Sequence, residues 1–432
     1  MGSRSATGDS LGIGLERRTA SVIIMFRQMP AATFAAFRHR NFSLFFAGYV
    51  ISLVGVWMQR VAQSWLVLDI TGSAFFVGLA DALGSLPILL LSLYAGAVAD
   101  RVSKRHMVIA TQTAAMLVAF GFAAMIYAHV TSITLIVVLA ALMGVATAFD
   151  IPARQSFFIE IVGRDDLPSA IALNSSAFNA TRLVGPALAG IAIGALGVAA
   201  CFVANGVSYL AVLAALVAMR VPPFRAAALP ATSAWQNIRD GLRYVASDAR
   251  VRLLLFNIAA MSVFGLPVLV LLPVLAKNVL GRGAQEYGWM MSAVGGGALV
   301  GALVVATFAS TMHKGRAVAW SATAFGGLVI ALSLAHSVGV ALVILALLGA
   351  AMITATALTN TLLQTLSPDA LRGRVVAAYT FSFVGMAPLG SLLAGSVAQR
   401  FGVAATLVAG GLVTAAAALV LLVGSQAMRE AR

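Results

Sequence analysis

The sequence predicts an all-α membrane protein whose twelve transmembrane helices form two pseudo-symmetric six-helix bundles. Three observations predict this. Hydrophobic residues fill 61% of the 432 positions, charged residues only 10%, and the mean hydropathy is +0.98; a soluble domain is about one quarter charged. Apolar runs long enough to cross a bilayer, about 20 residues each, recur along the whole chain. A polar, proline-bearing stretch then divides those runs into two sets of six. The runs are continuous rather than alternating, which excludes a membrane β-barrel.

The predicted spans are 42–68, 74–98, 107–128, 132–151, 168–195 and 198–219, then 252–276, 286–309, 316–335, 338–362, 373–397 and 402–424. Residues 1–41 form a cytoplasmic tail, 42–219 the first bundle, 220–251 a linker, 252–424 the second bundle and 425–432 a second tail. In the linker, Pro222, Pro223 and Pro230 precede Trp235, Ile238, Leu242 and Val245 at helical spacing, with Arg239, Asp240 and Arg243 between them. That pattern is an amphipathic helix lying on the membrane surface. The first 40 residues hold only a short apolar patch, Val22 to Phe26, so no cleavable signal peptide is expected, and Met25 or Met29 is the expected start.

An even number of spans puts both tails on one side. Of the 28 Lys and Arg residues, Lys277, Arg282 and Arg400 alone fall in loops on the other side, and Arg60 and Arg182 alone fall in the interior of spans rather than at their cytoplasmic ends. Basic loops stay in the cytoplasm, so both termini are cytoplasmic. The same distribution explains the net charge of +14 without nucleic acid as a partner, and it offers contacts to anionic lipid headgroups. The single cysteine, Cys201, excludes a disulfide framework and a multi-cysteine metal site. No Walker loop, nucleophile elbow or His-Cys cluster occurs, so neither an enzyme nor a cofactor is expected.

The halves read as distant repeats. Span five enters through Asp165-Asp166-Leu-Pro and carries Gly185-Pro186-Ala-Leu-Ala-Gly190. Span eleven carries Ala387-Pro388 followed by Gly390 and Gly395. The loop after span two reads Gly96-Ala-Val-Ala-Asp100-Arg101-Val-Ser103-Lys104-Arg105. The loop after span eight, His313-Lys314-Gly315-Arg316, is a worn copy with Met312 where Asp100 would align. Gly96 is expected to let two helix backbones approach. Asp100 is expected to pair with an arginine or a helix N-terminus.

This loop resembles the signature between the second and third helices of the major facilitator superfamily, with Ser103 in place of a second glycine. Further segments match one bacterial efflux branch of that superfamily: Gly55 to Trp65, Pro152-Ala-Arg-Gln-Ser156, Ile171 to Ser176, Gly241-Leu-Arg-Tyr244 and Leu371-Arg-Gly-Arg374. The resemblance covers about residues 38 to 424. It implies the major facilitator fold, two halves that rock against each other, and residues Gly96, Asp100, Arg101, Lys104 and Arg105 as a cytoplasmic latch. It also implies a bacterial inner-membrane location. Gly185 and Pro186 resemble part of a glycine-proline motif of proton-coupled drug antiporters, although helix kinking and close packing explain them equally.

Ionisable groups within a bilayer are expensive and usually face a cavity and a partner. Arg60 and Asp81 lie at similar depths on successive spans, roughly 12–13 Å below the outer surface at 1.5 Å per residue. They are expected to pair, either as a fixed salt bridge or as a switch in which a proton on Asp81 frees Arg60. Arg182 sits near the midplane, and Ser175, Asn179 and Arg182 share one helix face that is expected to line a central cavity. Gln59 and Gln63 flank Arg60; Asn257, Tyr379 and Thr380 are lesser candidates from the second half.

The expected function is secondary active export of a small organic molecule, siderophore-like or an amphipathic drug, by proton antiport, from a monomer embedded in lipid. A lipid flippase or importer on the same scaffold is the alternative. A non-transporting receptor is disfavoured, because a scaffold has no need of charges at membrane depth.

Overall fold

The computed structural model describes residues 34–220, 243–309, 311–369 and 371–423. The expected start at Met25 or Met29, the N-terminal tail up to residue 33, the C-terminal tail and most of the linker, including Trp235, Ile238 and Leu242, lie outside these residues. Among the described residues twelve helices are long and apolar enough to cross a membrane. They are α1 (Arg40–Thr71), α2 (Ala74–Arg101), α3 (Lys104–Tyr127), α4 (Ile133–Val162), α5 (Leu167–Leu196), α6 (Ala199–Ala218), α7 (Ala249–Val279), α8 (Ala284–Phe308), α9 (Lys314–Leu332), α10 (Val338–Leu366), α11 (Arg372–Phe401) and α12 (Val403–Val423). The protein is a multi-pass membrane protein.

Local sequence sets the helix ends. Ser73, Ser103, Ser132 and Ser337 cap α2, α3, α4 and α10, each hydroxyl accepting a hydrogen bond from a backbone N–H in the first turn. Ser103 therefore does more than replace a glycine: it starts α3. Asp248 caps α7 through the N–H groups of Arg250 and Val251, and the Arg250 guanidinium beside it holds its carboxyl below the usual carboxylate range. Gly72 closes α1 in the left-handed conformation at φ 62°.

The two halves pack by the same scheme. Helix α2 lies along α4, and α3 against α4 and α6. In the second half α8 lies along α10, and α9 against α10 and α12. The halves meet through α5 on α8 and α2 on α11, a pairing that exchanges equivalent helices between the repeats, as inverted and duplicated transporter halves do.

Helix α4 departs from the sequence reading. Pro152 marked the predicted end of span four, yet the helix runs on to Val162 with Pro152 inside it, so Pro152-Ala-Arg-Gln-Ser156 is helix rather than loop. Proline is tolerated there because neighbouring helices stabilise the interrupted turn. In the second half, by contrast, α7 and α11 are broken by π turns at Met261–Gly265, Leu275–Val279 and Phe381–Gly385. The first and last of these touch: the Ser262 hydroxyl donates to the Phe383 carbonyl at 2.7 Å, satisfying a backbone group beside the distorted turn.

We call the end where α1 begins and α12 finishes the terminal end, and the opposite end the far end. The seam between halves is built from glycine contacts toward the far end. A Cβ on Gly78 would lie 2.3 Å from the Ser391 carbonyl, one on Gly288 2.4 Å from the Pro186 carbonyl, and one on Gly295 2.5 Å from the Arg182 carbonyl. These backbones approach as closely as small residues allow. Gly96 does not serve this purpose. No heavy atom lies within 4 Å of the place its Cβ would take, so the expected close approach at the latch is corrected to the seam glycines.

Candidate functional site

The charged cluster begins at Trp57 on α1. Its ring packs on Gly185 of α5, whose Cβ would lie 2.5 Å from the Trp57 Cβ, and against Phe178 with centroids 5.5 Å apart. Gly185 is thus the gap that admits the indole, and Pro186 follows as the α8 contact. The Arg60 guanidinium stands 5.2 Å from the Trp57 ring centroid and that of Arg182 stands 5.9 Å from it. Arg182 is 8% exposed, and its Nη2 lies 3.9 Å from Met352 Sδ on α10. One indole thereby gathers two cations from α1 and α5 at the seam.

The expected Arg60–Asp81 ion pair is not formed among the described residues. Asp81 turns toward α11 instead, where its Oδ2 accepts a hydrogen bond from Ser391 at 2.6 Å. The face of α2 bearing Asp81 also carries Gly78, one turn earlier, and so follows the contact with α11 rather than with α1. Tyr287 of α8 lies within electrostatic reach of both Asp81 and Arg60 and stacks on Trp65 at 6.2 Å, which places all these groups along one seam.

Other predicted residues separate. Gln59 is 4% exposed and accepts from Asn205 at 2.6 Å; it is tied up between α1 and α6 rather than facing a cavity. Asn257 is 1% exposed, inside the second bundle, and its amide has no hydrogen-bond partner among the described residues. Gln59 was placed by its neighbour Arg60 in sequence, which does not reveal helix face. Gln63 is half-buried. Asn179 donates to the Ser175 carbonyl of its own helix at 2.8 Å, and Ser175 is exposed. Tyr379 donates to the Thr356 carbonyl of α10 at 3.2 Å and stacks on Phe383, while Thr380 is exposed.

At the latch, Asp100 and Arg101 are exposed, and Asp100 makes no ion pair among the described residues. Lys104 reaches Glu160 of α4 at 3.7 Å. Arg105 Nε donates to the Leu216 carbonyl of α6 at 2.9 Å. The loop is pinned to its own half.

A second polar cluster was missed by the sequence reading. Asp150 of α4 accepts from Thr111 at 3.0 Å and Gln112 at 2.8 Å on α3, and from Arg154 Nε at 3.1 Å. Arg154 also bonds the Tyr49 hydroxyl of α1 and covers its ring at 4.5 Å. The signal was present: an Asp and an Arg four apart share a helix face, but only if the helix continues past Pro152.

A groove of about 460 Å³ between α8, α10 and Leu183 is apolar and carries none of the predicted site residues. Among the described residues no group of three His, Cys, Asp or Glu side chains is placed to hold a metal.

The geometry accords with sequence comparison. A family model described as transmembrane secretion effector matches residues 31–431. The chain belongs to this family, within the major facilitator superfamily. It is 24% identical to the staphyloferrin A transporter of Staphylococcus aureus over 84% of this chain and 90% of that protein. It is 30% identical to the multidrug efflux pump Tap of Mycolicibacterium fortuitum over 81% and 87%. It is 24% identical to the enterobactin exporter EntS of Shigella flexneri over 83% and 85%. The solved D-xylose–proton symporter shares the fold at a TM-score of 0.71 and 14% identity, covering 89% of this chain and 97% of the symporter.

Proposed function

We propose that this protein is a monomeric exporter in a bacterial inner membrane, with both termini cytoplasmic, and that it moves a siderophore-like molecule or an amphipathic drug outward against proton entry. The observation that carries this reading is the one-sided seam. Asp69–Lys277 at 2.6 Å, Ser73–Gln399 at 2.9 Å and Asp81–Ser391 at 2.6 Å join the halves toward the far end. The α5 face that packs on α8 there continues toward the terminal end as Asn179 and exposed Ser175. The helices thus close outside and part inside, the form in which an exporter loads from the cytoplasm.

Asp81 is the proposed coupling residue. A hydrogen bond to a charged carboxylate is about twice as strong as a neutral one. A proton on Asp81 weakens the bond to Ser391 and loosens the outer closure. Asp100, free of an ion pair in this state, is the latch residue for the opposite one, when the terminal ends meet.

Everted vesicles energised with a proton gradient test this reading. Ethidium, or a siderophore extracted from the host, is expected to accumulate only with the protein present, to stop with a protonophore, and to lose gradient dependence in Asp81→Asn. Accumulation in right-side-out vesicles alone would make the protein an importer. The apolar groove favours a second reading, lipid translocation, since its Trp289, Val300 and Leu347 are exposed toward the membrane. Transfer of a fluorescent phospholipid between leaflets, with no ethidium movement, would select it.

A further inference from the structure

We propose that Arg60, Arg182 and Trp57 form a recognition site for an organic anion bearing two or more carboxylates. This rests on the transport reading of the same seam and names the class of cargo. Two cations converge on one indole, at 5.2 and 5.9 Å from its centroid, and they repel each other. A purely structural arginine in a membrane is normally neutralised, because an uncompensated charge there is expensive. Neither cation has a carboxylate partner among the described residues. Asp81, the acid at similar depth, is bonded to Ser391. Among the described residues the one hydrogen-bond acceptor near Arg182 is the Met352 thioether at 3.9 Å, a weak acceptor.

A third donor independently points to a ligand. The Trp57 Nε1–H is buried without an acceptor, and a buried donor left unpaired is destabilising. The neighbourhood therefore offers two guanidinium forks and an indole N–H, none bonded to an oxygen acceptor among the described residues. A guanidinium fork matches a carboxylate with two parallel hydrogen bonds. A single carboxylate satisfies one fork and leaves the other cation bare. Two or more carboxylates on one ligand satisfy both and remove the repulsion. Because Arg60 and Arg182 belong to the first half while Met352 belongs to the second, a ligand held here touches both halves and can bias which end is closed.

The test uses the full-length protein in nanodiscs, with radiolabelled citrate as the probe. Citrate is expected to bind saturably at one site. Arg60→Gln and Arg182→Gln are each expected to weaken it about tenfold or more, since a charged hydrogen bond contributes roughly 1.5–3 kcal/mol and 1.4 kcal/mol is tenfold. Trp57→Phe, which keeps an aromatic ring and removes the N–H, is expected to weaken it by a smaller factor. Arg182→Lys, which keeps the charge, is expected to fall between wild type and Arg182→Gln, and a monodisperse elution profile with a cooperative melt checks that each variant is folded. Absence of saturable citrate binding to folded wild type, or equal binding by the Arg60→Gln/Arg182→Gln double variant, overturns the proposal. Gradient-driven transport of ethidium and of citrate by the same purified protein in sealed proteoliposomes keeps the two readings apart. Efflux without citrate binding sinks the anion site and leaves export standing. Citrate binding that the arginine variants abolish, without transport of either compound, sustains the site and sinks export.

Discussion

Asp150 and Arg182 are buried in the first six helices, whereas the last six bury no Asp, Glu, His, Lys or Arg among the described residues. The second half instead breaks its helices, with π turns in α7 and α11, which in other helices often accompany function. The comparison teaches a division of labour between duplicated halves. The first half holds its buried charges on helices without π turns among the described residues. If the seam opens as proposed, the π turns of the second half are where rearrangement is expected. The contact scheme is shared, but chemistry and compliance are not.

The comparison can be broken by substitution, beginning with the largest effect. Arg154→Met strands the Asp150 carboxylate among Thr111 and Gln112; loss of one partner of a buried pair costs about 3–5 kcal/mol. A marked fall in melting temperature of the detergent-solubilised protein is expected, with much of it restored in Asp150→Asn/Arg154→Met. Gly297→Ala comes next. Its Cβ would lie 1.7 Å from the Ala346 carbonyl, so α8 and α10 must separate, at about 1–3 kcal/mol for overpacking, read by the same melt. Ser262→Ala removes the donor to the Phe383 carbonyl and is expected to cost about 1–2 kcal/mol, while changing hydrogen exchange in α7 and α11 more than in α1 to α6. Asp69→Asn is the smallest. Asp69 and Lys277 are exposed by 58% and 36%, and such a pair contributes about 0–1 kcal/mol, an effect that should vanish in high salt. If Arg154→Met were as mild as Asp69→Asn, the contrast between halves would be wrong.

Much of this was legible in sequence, because a bilayer demands long apolar runs and a cytoplasm-facing surplus of Lys and Arg. Spans two, five and ten were placed within a few residues of their helices. Orientation around each helix axis was not legible. Arg60 and Asp81 were matched in depth, but depth does not say that Asp81 faces α11. Gln59 read as a neighbour of Arg60, yet one residue along a helix turns the side chain by about 100°, enough to bury it against Asn205. Pro152 hid the Asp150–Arg154 pair because proline marks a helix end in water more reliably than in lipid. Gly96 read as a packing glycine for its small size alone, while the glycines that bring the halves together, such as Gly78 and Gly288, gave no separate sign.

The central claim is that the halves pivot about the charged seam, closing one end as they open the other. The most direct measurement is a pair of spin-label distances in a Cys201→Ala background, Arg101→Cys with Thr311→Cys at the terminal end and Val130→Cys with His336→Cys at the far end, recorded at neutral and acidic pH. The account predicts opposite changes, with the far pair lengthening and the terminal pair shortening as Asp81 takes up a proton. Distances that stay fixed, or that change in the same sense at both ends, would contradict it.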